Sequence, residues 1–165
     1  MEPLRDQFLD LREVTEADLP VFFTQQLDKS AHRMAAFTVK NPEDRDGFTA
    51  HWTRILNNDS IVKRTIVMNG QIVGNVSCFE LFGLPTIGYW IDKSFWGKGI
   101  ATNALSLFLE ELRTRPVYAR VAHDNIASIR VLEKNGFQPF GVDQAFSEAR
   151  GEEVEELILV KHTCL

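Results

Sequence analysis

The sequence predicts an α/β (α+β) fold: one mixed, mostly antiparallel central sheet of about seven strands, with helices on both faces. Three observations carry this. Asn69-Gly70 sits between two runs rich in β-branched residues, which marks a hairpin inside a meander. A strand, a glycine-containing loop and an apolar-striped helix follow one another from residue 86 to 112. The predicted element order is β-α-α-β-β-β-α-β-α-β-β, with no repeat and no linker, so residues 1–165 read as a single domain.

Phe8 to Val14 alternates apolar and charged residues as a first strand. Thr15, with Asp18 three residues later, starts a helix that runs through Phe22, Phe23 and Leu27, with Pro20 in its early turn. Asn41-Pro42 is expected to begin a second helix, whose apolar face holds Phe48, Trp52, Ile55 and Leu56. Ile61–Met68 and Gln71–Phe79 are the hairpin strands. Gly83 and Pro85 mark the next turn, before a strand over Thr86–Ile91.

The helix after the loop places Ala101, Ala104, Leu105, Phe108 and Leu112 on one face. A strand follows at Val117–Val121. Asp124-Asn125 starts a further helix, which stops at Asn135-Gly136. Phe137–Val142 and Val154–Val160 are the last strands. The Glu152, Glu153, Glu155, Glu156 run reads as a solvated strand edge.

Bulk properties exclude several classes. The net charge is −5 and no Lys/Arg run forms a polyphosphate-binding patch, which excludes nucleic acid as the main partner. Cys78 and Cys164 lack metal-ligand spacing and are too few for a disulfide framework, so a reduced, cytoplasmic setting and no metal are expected. Met1 to Leu11 holds no apolar run of signal-peptide type, and no stretch approaches membrane-spanning length.

The loop Phe95-Trp96-Gly97-Lys98-Gly99 leaves a strand and enters a helix, with small residues at 97, 99 and 101. Such a turn lets successive backbone N–H groups face one point, and the helix adds its free amides and positive dipole end. That suits a pyrophosphate. Thr102 stands where a dinucleotide fingerprint needs Gly or Ala, and Lys98 is followed by Gly99 rather than the Ser or Thr of a Walker loop. A ligand-free tight turn is the alternative.

A second motif, Asn125-Ile126-Ala127-Ser128-Ile129-Arg130-Val131-Leu132-Glu133-Lys134-Asn135-Gly136-Phe137, lies downstream. The pair resembles the GNAT superfamily of acyl-CoA N-acyltransferases. "WGKGIAT" with "NIASIRVLEKNGF" is similar to its ribosomal-protein N-terminal acetyltransferase branch. The resemblance covers nearly the whole chain.

It implies acetyl transfer from acetyl-CoA to an amine, either a protein N-terminal α-amine or a small molecule. Backbone amides of Gly97, Lys98, Gly99, Ile100, Ala101 and Thr102 would hold the CoA pyrophosphate. Trp96 stands where the family pattern has Arg or Gln. The strand around Tyr89 to Ile91 would splay from its neighbour, offering backbone groups of Trp90 and chiefly Ile91 to the pantetheine arm and the oxyanion. Asn125 would bind the pantetheine side.

Many members carry a tyrosine that protonates the leaving thiolate; Leu132 fills that place here, and the resemblance assigns the task to Ser128. A base is sought among Glu80, His123, Asp92 and Asp124, which are placed at strand ends where ligands collect in such sheets. His32, Arg33, Met34 and Phe37 are candidates for the acceptor pocket, and Phe79, Phe82 and Tyr89 for its lining. Phe48 and Trp52 read as core. A non-catalytic acyl-CoA binding domain is the alternative function, favoured by Leu132. Pairing of the final strands across a two-fold axis is compatible with a homodimer.

Overall fold

In a computed structural model, which describes residues 8–163, the seven strands are β1 (Leu9–Glu13), β2 (Val62–Met68), β3 (Gln71–Leu81), β4 (Leu84–Ile91), β5 (Val117–Ala122), β6 (Gln138–Ser147) and β7 (Glu152–Lys161). The helices are α1 (Leu19–Gln25), α2 (Lys29–Ala35), α3 (Arg45–Leu56), α4 (Ile100–Glu111) and α5 (Ile126–Lys134). Residues 1–7 of the N-terminal stretch read above, and Cys164, lie outside the described residues. Among the described residues no helix is long and apolar enough to cross a membrane.

The sheet order is β1-β2-β3-β4-β5-β7-β6, and every pairing is antiparallel except β4–β5. That exception follows from the chain: β4 reaches β5 through the α4 crossover, whereas the hairpins force antiparallel neighbours. Asn69 (φ 51°) and Gly70 (φ 79°) form the expected turn with both central residues left-handed. The β3–β4 turn uses the same geometry at Phe82 (φ 50°) and Gly83 (φ 78°), so β4 begins at Leu84 and includes Pro85.

Four expectations about elements are corrected. Thr15–Asp18 opens a short 3-10 turn at Glu16–Asp18 before α1, and α1 ends before Leu27. Asp28 then caps a separate helix, α2, by accepting the Ala31 amide at 2.9 Å. The helix expected from Asn41-Pro42 starts at Arg45, because Asp44 caps it through the Gly47 amide at 3.0 Å while Asn41 accepts the Glu43 amide in a local turn. The Glu152, Glu153, Glu155, Glu156 run is the solvated entry of β7 except at Glu156, which is buried, and β7 lies between β5 and β6 rather than at the sheet edge.

The core has two layers. Ile66, Val73, Val76, Ile87 and Ile91 meet Ile100, Ala104, Leu105 and Phe108 of α4 and Leu132 of α5. Leu19 and Phe22 of α1 pack on Trp52 of α3, with the Phe22 and Trp52 rings 5.0 Å apart and Phe48 beside them. Phe48 and Trp52 therefore belong to the core as read.

Asp18 ties this second layer to the sheet. Its carboxylate accepts both Arg12 guanidinium nitrogens at 2.8 Å, the Thr15 amide at 3.0 Å and the buried Thr65 hydroxyl at 2.8 Å. Burial alone pushes the carboxyl up, but these donors outweigh it and hold the pKa at about 2, below the usual 3.8. A depressed carboxyl stabilises the fold above its unfolded pKa and loses that contribution as pH falls through the folded value. The shift is worth about 2 kcal/mol. Urea unfolding of Asp18→Asn is expected to show that loss at pH 7 and a weaker pH dependence between pH 5 and pH 2 than the parent chain.

Candidate active site

The site starts from a strand pair that parts. β4 and β5 pair only at Thr86↔Tyr118 and Ile87↔Ala119, although β4 runs on to Ile91 and β5 to Ala122. Alternate residues of a strand direct their backbone groups to the same side. The Asp92 amide bonds the Val73 carbonyl of β3 at 2.9 Å, so Trp90 also faces β3, while Tyr89 and Ile91 face the gap.

The β3 side holds this geometry in place. Val73 is the extra residue of a bulge, because Ile66 pairs with Gly74 and Val67 with Ile72. A Cβ on Gly74 would lie 2.0 Å from the Trp90 carbonyl oxygen and 3.1 Å from the Ile91 Cα. The missing side chain is thus the space the Trp90 carbonyl occupies. In a planar trans peptide the next N–H points the opposite way, so the Ile91 amide is aimed away from Gly74.

Trp96 shares the exposed edge at Ile91. Its indole N–H donates to the Ile91 carbonyl at 2.8 Å, on the side toward which the Ile91 amide also points. Trp96 therefore braces the loop against the strand it leaves. The Trp90 indole, on the opposite face, donates to the Gln25 carbonyl of α1 at 3.3 Å.

The loop turns twice through left-handed backbone, at Gly97 (φ 77°) and Gly99 (φ 76°), and Gly99 is the residue before α4. A Cβ on Gly97 would meet nothing within 4 Å, so conformation and not space demands glycine there. No side chain caps α4. The amides of Ile100, Ala101 and Thr102 precede the first internal helical bond, from Asn103 to the Gly99 carbonyl at 3.2 Å. These donors, at the positive end of a 12-residue helix, fit a diphosphate. The Lys98 ammonium lies 5.5 Å from the Phe95 ring centroid, beside the same turn.

Across the gap, α5 begins at Asn125. Its side-chain oxygen accepts the Ser128 amide at 3.3 Å, so Asn125 caps the helix that presents Ser128. The Ser128 Oγ lies 2.5 Å from the Tyr89 Oη. Burial pushes the Tyr89 phenol up to about 12, against the opposing effect of that hydrogen bond. Leu132, one turn on, is 1% exposed within the core under α4 and is committed to packing.

The base candidates scatter. His123 follows β5 directly and is exposed, with its amide at 3.0 Å and its ring Nδ1 at 3.3 Å from the Glu155 carbonyl of β7, the strand on the other side of β5 from the gap. Asp124 is held by both guanidinium nitrogens of Arg150 at 2.8 and 2.9 Å, which lower its pKa. Asp92 accepts the Ser94 hydroxyl at 2.7 Å within its own turn.

Glu80 is displaced from the site. It is exposed and pairs with Pro85, six residues before Ile91, about 20 Å along the strand. Ligands gather at the carboxyl ends of parallel strands; β3 runs antiparallel to β4, so its carboxyl end lies at the far edge.

A staple that no local sequence pattern announces ties α2 to the β6–β7 turn. Arg150, in the β6–β7 turn, also donates to the Arg33 carbonyl at 2.8 Å at the end of α2. Ser147 donates to the Ala36 carbonyl at 2.6 Å, and Ala36, Ala122 and Val154 form a small buried cluster with Phe37 against it. His32 is buried with its Nε2 2.6 Å from the Val39 carbonyl, which makes it structural. Phe79 covers Gly88, and Phe82 lies exposed over the Arg120 guanidinium at 4.8 Å. Glu156 takes a hydrogen bond from Arg120 at 3.0 Å, and burial raises its pKa.

Residues 9–138 match the acetyltransferase (GNAT) domain family. The probable N-acetyltransferase YjcK of Bacillus subtilis (strain 168) is 40% identical over 80 residues, which cover 44% of this chain and 44% of that protein. The match thus spans less than half of that relative's length. The ribosomal-protein-alanine N-acetyltransferase from Brucella melitensis superposes with a TM-score of 0.77 at 23% identity, over 93% of this chain and 99% of that one. The microcin C7 self-immunity acetyltransferase MccE, solved in complex with acetyl-CoA and AMP, gives a TM-score of 0.73 at 23% identity, over 94% and 92%.

Proposed function

Since the chain belongs to the GNAT acetyltransferase family, we propose that it moves an acetyl group from acetyl-CoA to a primary amine, by direct attack with both substrates bound. One observation carries this reading: the uncapped glycine turn into α4 and the open β4 edge lead to the same hydroxyl, Ser128.

Bound acetyl-CoA supplies a thioester, whose C–S bond breaks as a C–N bond forms; the amine nitrogen gives up one proton and the sulfur gains one. The amides from Gly97 to Thr102 grip the diphosphate. The open edge at Tyr89 and Ile91 aligns the pantetheine arm. The Ile91 N–H faces the thioester carbonyl and stabilises the negative charge that develops there. Ser128 Oγ–H donates to the departing sulfur and is refilled from solvent. His123, exposed at the carboxyl end of β5, takes the amine's proton through water.

The acceptor enters beside α2 and the β6–β7 turn, over Phe37. The motif resemblance favours a protein N-terminal α-amine over a small amine, and the sparse cysteines support a cytoplasmic setting. The buried Leu132 favours a second reading, an acyl-CoA binding domain without turnover.

Purified protein with acetyl-CoA and an acceptor panel, peptides with free N-termini and small primary amines, separates the two. Thiol release matched by a mass gain on one acceptor is expected. Ser128→Ala is expected to slow it about 100-fold with acetyl-CoA affinity kept. Tight acetyl-CoA binding with no acetylated acceptor at raised protein concentration would establish the second reading instead.

A further inference from the structure

We infer that Tyr89 is a positioning residue that fixes the hydrogen of the Ser128 hydroxyl toward the leaving sulfur. This rests on the role given to Ser128 above and adds the group that makes the role possible.

A serine hydroxyl has one hydrogen and rotates freely, and in the first turn of a helix it readily bonds a nearby backbone carbonyl instead of a ligand. Three features remove that freedom. Asn125 holds the Ser128 amide at 3.3 Å, which sets the backbone. The Tyr89 Oη stands 2.5 Å from Ser128 Oγ. Tyr89 itself is anchored on β4, in the stretch whose backbone faces the gap, and packs against the buried core.

The direction of the bond decides the function. Burial keeps the phenol protonated far above working pH, so Tyr89 always has a hydrogen to give. When it donates to Ser128 Oγ, the serine oxygen is an acceptor there and its own hydrogen must point elsewhere. The open side is the gap between β4 and β5, where the thioester sulfur would lie. The arrangement also explains how Leu132 can stand in the place of the family's tyrosine: the phenol comes from the sheet and acts through the serine. Because Tyr89 transfers no proton in this role, the proton balance of the reaction is unchanged.

The test is a double-mutant cycle on the full chain. kcat, KM for acetyl-CoA and the urea unfolding midpoint are measured for Tyr89→Phe, Ser128→Ala and the double variant. The expected result is a kcat loss of about 10-fold for Tyr89→Phe and about 100-fold for Ser128→Ala, with KM within about twofold. The double variant should match Ser128→Ala alone, because without the serine the phenol has nothing to orient.

Wild-type kcat in Tyr89→Phe beside a slow Ser128→Ala overturns the role of Tyr89 and leaves Ser128 standing. Fully additive losses overturn it too, since the phenol would then act independently. Wild-type kcat in both single variants removes the Ser128 role and this inference with it.

Should Tyr89→Phe fold poorly, a fluorinated tyrosine at position 89 keeps the shape while lowering the phenol's pKa. Activity should then fall off at lower pH than in the parent, as the donor ionises. An unmoved pH profile would overturn the inference.

Discussion

Alanine at Gly74 is expected to remove acetyl transfer and to lower the unfolding free energy by about 3 kcal/mol, the upper end for inserting a methyl group into a packed site. The added carbon would sit 2.0 Å from the Trp90 carbonyl oxygen and 3.1 Å from the Ile91 Cα. Both are backbone atoms, so no rotamer change relieves the clash. Gly74 cannot retreat either, because it pairs with Ile66 on its other side, and Ile66 is fully buried. β4 must therefore move outward or release its ladder near Ile91.

Either movement displaces the Ile91 amide proposed to face the thioester carbonyl. Loss of one such donor costs about 100-fold to 1,000-fold in turnover. Gly88→Ala is the control: its Cβ would meet the Phe79 ring edge at 3.0 Å, a side chain that can tilt. Urea unfolding and initial rates of both variants are the measurements. Gly74→Ala with parental turnover would show that the Trp90–Ile91 peptide does not hold the reacting carbonyl.

What was legible in the sequence is what neighbouring residues decide. Asn69-Gly70 specifies its hairpin because both positions accept left-handed backbone, and that turn fixes β2 against β3. Gly97 and Gly99 announced the loop for the same reason. Asp28, followed by a run that accepts helix, is an equally local signal for α2.

The misplaced features depend on what lies across the sheet. Glu80 ends a strand, but which edge of the sheet that end occupies depends on strand direction. Glu156 sits in an acidic run that looks solvated until Arg120, 36 residues away, covers it. Tyr89 and Ser128 are 39 residues apart, and their contact exists only because β4 and α5 meet on one face. Arg150 reaches residues more than 100 positions away, which no local pattern announces.

Valine at Gly99 is expected to weaken coenzyme A binding about 10-fold while leaving the fold near its parental stability. At φ 76° a β-branched residue is strained by about 1–2 kcal/mol, and the loop is exposed and free to relieve that strain by turning its peptides over. Turning over withdraws the amides that precede α4. Each hydrogen bond to a charged group contributes about 1.5–3 kcal/mol, so two outweigh the strain: coenzyme A pulls the turn back, and the affinity lost is the strain itself, about 10-fold. Gly97→Asn serves as the comparison, because asparagine tolerates left-handed backbone and nothing lies within 4 Å of its Cβ position. It should bind nearly as the parent does.

Calorimetric titration with coenzyme A, and separately with pantetheine, locates the effect. Pantetheine lacks the diphosphate and relies on the β4 edge, so its weak binding should be the same in the parent and in Gly99→Val. An equal loss for both ligands would mean that the substitution deforms the strand edge. Parental affinity for coenzyme A would mean that the diphosphate is held somewhere other than the start of α4.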